Sequence, residues 1–212
     1  MARIYSPLGN ITGSLGNLTF SGGASGNQIR QKIASNNSNT PAQQNTRSRF
    51  KLLADLFRKF AGAAQMGLLS QGGKSAYNRF VQLNFINTTA DAMHVASIDY
   101  SKLVLSGGSV EPLAGVGAVL DAQGGKVTVS FADNTNSNTA LETDVVKAVV
   151  VNKATGRVVA ASDEDVTRGD GSIVMEDDSL AGVQAANLMA FAFAHRADGS
   201  DASSTSQAQV AY

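Results

Sequence analysis

A chain of 212 residues with 43% apolar and only 16% charged residues can bury its core in one large domain, or in a domain of about 120 residues beside a small helical unit. Twenty-one glycines and no tryptophan suit a loop-rich β protein better than a helical bundle, and the lack of cysteine excludes a disulfide framework, a thiolate zinc site and a thiol nucleophile. The net charge of zero hides a split: ten Lys/Arg against one acidic residue through residue 85, a balance of +9, then seven against sixteen, a balance of −9. Such a division points to a polyanion partner or to head-to-tail contact between copies, unless the two halves neutralise each other in the fold.

The N-terminal stretch MARIYSPLGN lacks the long apolar core of a signal peptide, and no run approaches the length of a membrane span. The expectation is a soluble protein made in a cytoplasm. Residues 1–39 are rich in Gly, Ser and Asn, with apolar spots at Ile4-Tyr5, Ile11, Leu15, Leu18 to Phe20, Ile29 and Ile33. Leu8-Gly9-Asn10 is echoed by Leu15-Gly16-Asn17. So little apolar surface does not fold alone. The segment reads as an extended arm that lies across something else, a neighbouring subunit included; the alternative is a disordered tail.

Residues 40–85 form the most strongly specified stretch. Thr40-Pro41-Ala42-Gln43 is a helix start, with a capping hydroxyl, a proline at the first position and a glutamine placed for a capping box. Phe50, Leu53, Phe57 and Phe60 then recur at helical spacing among Arg47, Arg49, Lys51, Arg58 and Lys59. The spacing predicts a helix over 41–61, a turn at Gly72-Gly73 and a second helix over 73–84 carrying Tyr77, Phe80 and Val81. This is a basic helical hairpin whose phenylalanines belong to a core.

A linker over 86–98 leads to a region, 99–212, where the period becomes two. Seven strands are predicted: Lys102 to Leu105, Lys126 to Phe131, Val145 to Val151, Val158-Val159, Ile173 to Met175, Leu188 to Ala194 and Gln209 to Tyr212. Turn residues separate them at Gly107-Gly108, Gly124-Gly125, Asp133-Asn134, Ala154-Thr155-Gly156, Asp170-Gly171 and Asp198-Gly199. The expected fold is therefore α+β: an extended N-terminal arm and a basic helical hairpin, followed by an antiparallel β-sandwich of either immunoglobulin-like or jelly-roll order.

Little in the chain points to chemistry. The two histidines, His94 and His195, have no nucleophile-elbow signature near them, so no catalytic residue is assigned and the protein is not expected to be an enzyme. Asp163-Glu164-Asp165 and Glu176-Asp177-Asp178 could line a calcium site if two loops met, but they lack the ligand spacing of a calcium-binding loop and read as solvated charges. Arg168-Gly169-Asp170 spells an adhesion tripeptide, yet its last residue already serves a turn. No phosphate-binding loop is present, so neither metal nor cofactor is assigned. Cations, by contrast, concentrate. Arg30, Lys32, Arg47, Arg49, Lys51, Arg58 and Lys59 are the candidate contacts to a polyanion or an acidic neighbour, with Lys74 and Arg79 close by in sequence. Clustered cations give salt-dependent, sequence-blind backbone contact, and nothing here resembles a sequence-reading motif.

One resemblance covers most of the chain. Asn39-Thr40-Pro41-Ala42-Gln43-Gln44, Arg47 and Phe50, then Gly73, Tyr77-Asn78, Phe80-Val81 and Asn84, and the C-terminal strand pair with Phe191, Phe193, Asp198-Gly199 and Tyr212, resemble the DUF6266-like group of proteins from Bacteroidetes bacteria and their phages. More loosely, the chain is similar to small phage virion proteins. The resemblance implies a structural protein of the virion and brings no active site. The expected function is a capsid or capsid-associated subunit, made in the host cytoplasm and located in the virion. It would self-assemble through its arm with further copies and other virion proteins, contact nucleic acid non-specifically, and involve no membrane. The alternatives are a tail, neck or fibre component and a bacterial β-sandwich module that binds a ligand.

Overall fold

The computed structural model describes residues 2–4, 11–22, 26–32, 39–69, 73–136, 138–162 and 165–212. They fall into two units, Met1–Thr40 and Pro41–Tyr212.

In the first unit, β1 (Ala2–Ile4), β2 (Gly13–Leu15), β3 (Leu18–Ser21) and β4 (Asn27–Gln31) form an antiparallel sheet of order β1-β4-β3-β2. Gly16 has a φ of +54°, which an L side chain rarely adopts, and it opens the two-residue turn that sets Leu15 opposite Leu18. The expected extended arm is corrected here: the segment pairs with itself. Strand pairing satisfies backbone polar groups without apolar burial, and the apolar count used for the prediction does not register it. Asn27 is the buried residue of this unit among those described, and its Oδ1 accepts from the Ile11 amide at 3.1 Å. Tyr5, the Leu8-Gly9-Asn10 copy of the echo and Ile33 lie outside the described residues.

The second unit opens with α1 (Pro41–Lys59), α2 (Ala61–Gly67) and α3 (Ala76–Asn84). The predicted first helix continues past its expected end, because α2 takes it on to Gly67 with a change of backbone only at Phe60. Gly72 lies outside the described residues, and Ser75 caps α3 by accepting from the Asn78 amide at 3.3 Å. Between the helices and the main sheet, the expected linker holds a small hairpin of β5 (Thr88–Ala90) and β6 (Ala96–Ile98).

The main sheet uses β7 (Ala114–Asp121), β8 (Lys126–Ala132), β9 (Val145–Asn152), β10 (Arg157–Ala161), β11 (Val166–Thr167), β12 (Ser172–Glu176), β13 (Leu188–His195) and β14 (Ser206–Ala211). Its order is β10-β9-β13-β14-β7-β8-β12, with β11 beside β9. The sheet is mixed, not purely antiparallel. Ser206 to Gln209 of β14 pair antiparallel with β13, whereas Val210 and Ala211 pair parallel with Ala118 and Val119 of β7.

Strands β9 and β13 are buried along almost their whole length, so LMAFAFAH reads as a continuous apolar run. The two-residue period sorts their side chains. Val149, Val151, Met189 and Phe191 join Leu53, Leu56, Phe60, Ala64, Leu68 and Phe80 of the helical region in one core. Val146, Ala148, Val150, Ala190, Ala192 and Ala194 share a second core with Val127, Val129, Phe131, Ile173 and Met175. The architecture is thus mixed α+β: side chains on one face of β9 and β13 share a core with the helices, and those on the other share one with β8 and β12 of the same sheet.

The predicted strand Lys102 to Leu105 is absent. Tyr100–Lys102 is a 3-10 turn, and the Val104 amide and carbonyl bond the side chain of buried Asn84 at 2.8 Å each. Leu103 and Leu105 are buried as their alternation suggested, but a helix side chain takes the place of a strand partner.

Candidate functional site

Of the features singled out in the sequence, the cationic residues of α1 form the one coherent surface. At 100° per residue, Arg47, Lys51 and Arg58 lie within about 40° of one another, on the side of α1 opposite Leu53, Leu56 and Phe60. All three are exposed, and Arg58 carries a 3.3 Å ion pair to Asp55 in which both side chains face water.

Arg49 and Lys59 do other work. The Arg49 guanidinium lies 3.8 Å above the Phe85 ring and donates to Thr88 Oγ1 at 2.8 Å and to the Phe85 carbonyl at 2.6 Å. It fastens α1 to the start of the β5–β6 hairpin. Lys59 donates to the Gly156 carbonyl at 2.7 Å, tying the end of α1 to the β9–β10 turn. Arg79 likewise spends its guanidinium on the carbonyls of Leu69 and Gly107, at 2.6 and 2.9 Å, and Lys74 donates to Gln82. Arg30 and Lys32 are exposed at the end of β4, in the first unit. The seven candidate cations therefore divide into Arg47, Lys51 and Arg58 on one helix face, two structural clamps, and two in a separate unit.

The adhesion-like tripeptide is not displayed. Arg168 is 0% exposed; it donates to Asn134 Oδ1 at 2.6 Å and to the Glu111 carbonyl at 2.8 Å, and lies 3.5 Å from Asp144. Asp170 closes a capping box on Thr167. Burial pushes the Arg168 pKa down, and the neighbouring Asp144 charge opposes that shift. Asp144, itself fully buried, also receives Arg196 at 2.8 Å. This network is an internal clamp that the sequence did not announce, since its members lie far apart in the chain.

Asp163 and Glu164 lie outside the described residues. Asp165 is paired with Lys147 at 2.7 Å, and that bond and charge hold its carboxyl below the usual range. Glu176 pairs with Lys126 at 2.5 Å, and Asp177 accepts from the Ser179 amide. Among the described residues no three potential ligands group around a metal position. His94 contacts Asn45 through Nδ1 and His195 the Arg196 carbonyl, so the two rings serve different places and their hydrogen bonds are not to carboxylates.

One concave feature went unforeseen. A cleft of about 710 Å³ is lined by Leu69, Leu83 and Val104 on its apolar side and by Arg79, Ser109 and Asp201 on its polar side. Burial pushes the Asp201 carboxyl up, but donors from Ser109 and the Ala202 amide outweigh it and hold the group below its ordinary value. The sequence marks Asp198-Gly199 as a turn, and Ser200 and Asp201, which follow it, line the cleft.

Residues 10–206 match the model of a family described as a family of unknown function (DUF6266). No curated protein matches the chain.

Proposed function

From the premise that the chain belongs to the DUF6266 family, we propose that it is a bacteriophage virion structural protein, a capsid or capsid-associated subunit of a phage of Bacteroidetes. It acts by self-assembly and charge, and it is not an enzyme. The cationic face of α1 carries this reading: Arg47, Lys51 and Arg58 point away from the core, while the chain beyond residue 85 holds an acidic excess of nine. A helix face of this kind suits the phosphates of a packaged genome or the acidic surface of a neighbouring subunit. In this reading residues 99–212 are a β-sandwich folded over at β14, whose inner faces share the core described above.

Light scattering on the full-length protein at low and high salt tests the proposal, beside an Arg47→Glu/Lys51→Glu/Arg58→Glu variant. Large assemblies in low salt that shrink in high salt and in the variant are the expected result. A protein that stays monomeric in every condition, with or without added DNA, overturns it. A second reading, a bacterial module that binds a small ligand, is favoured by the cleft beside Asp201, whose mixed apolar and polar walls suit a ligand site. It predicts a monomer.

A further inference from the structure

The cleft beside Asp201 holds two opposite charges that do not pair with each other. Arg79 donates to the carbonyls of Leu69 and Gly107, and its other N–H groups have no protein partner among the described residues. It is half-buried and, among those residues, no carboxylate forms an ion pair with it. Asp201 is half-buried too, and its hydrogen-bond donors, the Ser109 amide and hydroxyl and the Ala202 amide, are all neutral. Both groups line the cleft, with Gly107-Gly108 between them. A Cβ on Gly107 would lie 3.9 Å from an Arg79 nitrogen, and one on Gly108 would overlap Asp201 Oδ1. With adjacent Cα atoms about 3.8 Å apart, the two charges therefore lie within about 13 Å of each other.

The walls are fixed by the protein itself. Asn84 holds Val104, Thr205 Oγ1 receives the amides of Leu105 and Ser106, and the Gly107 amide donates to the Gly67 carbonyl at 3.0 Å. Leu69, Leu83 and Val104 supply an apolar side, with Leu83 37% exposed. We propose that the cleft binds a small zwitterion with an apolar tail, an α-amino acid of leucine's kind. Its carboxylate meets Arg79, its ammonium meets Asp201, and its side chain lies against the apolar wall. The inference deepens the ligand-binding reading given above and rests on it. An α-amino acid hydrogen-bonded at both ends spans about 9 Å, inside the limit set by the two glycines. A lone anion would face the Asp201 carboxylate and a lone cation the Arg79 guanidinium, each a like charge in a half-buried place. A nucleobase would find no aromatic ring to stack on among the lining residues.

Isothermal titration calorimetry on the full-length protein, at two temperatures, tests the site with L-leucine, isocaproate, isoamylamine and isoamyl alcohol. These probes share a branched tail and differ in charge. L-Leucine should bind with a dissociation constant of about 1 mM or tighter, and each of the others at least about tenfold more weakly. Asp201→Asn keeps an oxygen for the Ser109 and Ala202 donors. It should weaken L-leucine at least about tenfold and leave isocaproate no weaker, a separation that a merely structural Asp201 would not produce. Leu83→Asp, at a partly exposed position of the apolar wall, should weaken L-leucine by a similar factor and serves alone should circular dichroism show Asp201→Asn to be misfolded. L-Leucine binding that neither variant changes overturns the proposal. A singly charged or neutral probe that binds as tightly as L-leucine, and is lost in Leu83→Asp, overturns the zwitterion and leaves the ligand-binding reading intact. No binding of any probe at either temperature overturns both.

Discussion

Asp144 and Arg168 are both fully buried, and each depends on the other and on a few fixed donors and acceptors. The Leu141 amide donates to Asp144 Oδ2 at 2.9 Å, Arg196 to Oδ1, and Arg168 reaches Asn134 and the Glu111 carbonyl. Removing the carboxylate strands a guanidinium in a place where it cannot be hydrated. Asp144→Ala should therefore lower unfolding stability by about 3–5 kcal/mol in denaturant titrations. Exposed carboxylates act more gently and with a definite sign. Side-chain and backbone donors from Ser101, Ser179 and Ser200 hold Asp99, Asp177 and Asp198 below the usual range, and the Thr167 amide and hydroxyl do the same for Asp170. A depressed folded pKa gives stability that is present above the ordinary value near 3.9 and lost as pH falls through the lower folded values. The melting midpoint should accordingly drop as pH is lowered from about 4 toward 2, a trend that scanning calorimetry at a series of pH values would register. The Asp144 cluster could not be read from the sequence, because Glu111, Asp144, Arg168 and Arg196 are brought together only by the fold.

At the scale of elements, α1 presents two kinds of arginine that look alike in the sequence. Arg49→Ala should cost about 1–3 kcal/mol, losing two hydrogen bonds and the stacking on Phe85, whereas Lys51→Ala and Arg58→Ala, the latter losing only a solvated ion pair, should stay within about 0.5 kcal/mol. Equal costs in thermal denaturation would contradict the division of roles. The helix itself was legible, since Phe50, Leu53, Phe57 and Phe60 repeat at the helical period and the proline stands at its first position, although Phe50 is exposed and does not join the core. Strand β7 was not. Its sequence AGVGAVLD carries two glycines, one at φ +59°, and a register shift between Ala114 and Gly117, so period-two alternation is broken where the strand begins. The N-terminal strands escaped for another reason: three to five residues each, they are held by backbone pairing and turns and not by a buried core. The cationic face was legible as a concentration of charge, but which cations were engaged depended on carbonyls at Phe85 and Gly156 supplied by distant segments.

For the molecule as a whole, three outward cations on one helix predict weak binding to duplex DNA, steeply reduced by salt. With three phosphate contacts the logarithm of the binding constant should fall with a slope of about −2.7 against the logarithm of salt concentration, and fluorescence anisotropy at several salt concentrations would measure it. A slope near zero would point to apolar contact instead. The position of β14 has a temporal consequence. Its first four residues pair with β13 and its last two with β7, so it is the strand that links the β9–β13 part of the sheet to the β7–β8 part. It also follows every other strand in the chain. While a ribosome is still short of residue 206, the nascent chain already contains α1 to α3 and β1 to β13, yet the edges of β13 and β7 that await β14 are unpaired, and open edges invite pairing with other chains. Closure of the sheet is thereby deferred until after most of the polypeptide has emerged, and a chaperone that shields those two edges during translation would protect the protein at its most vulnerable moment.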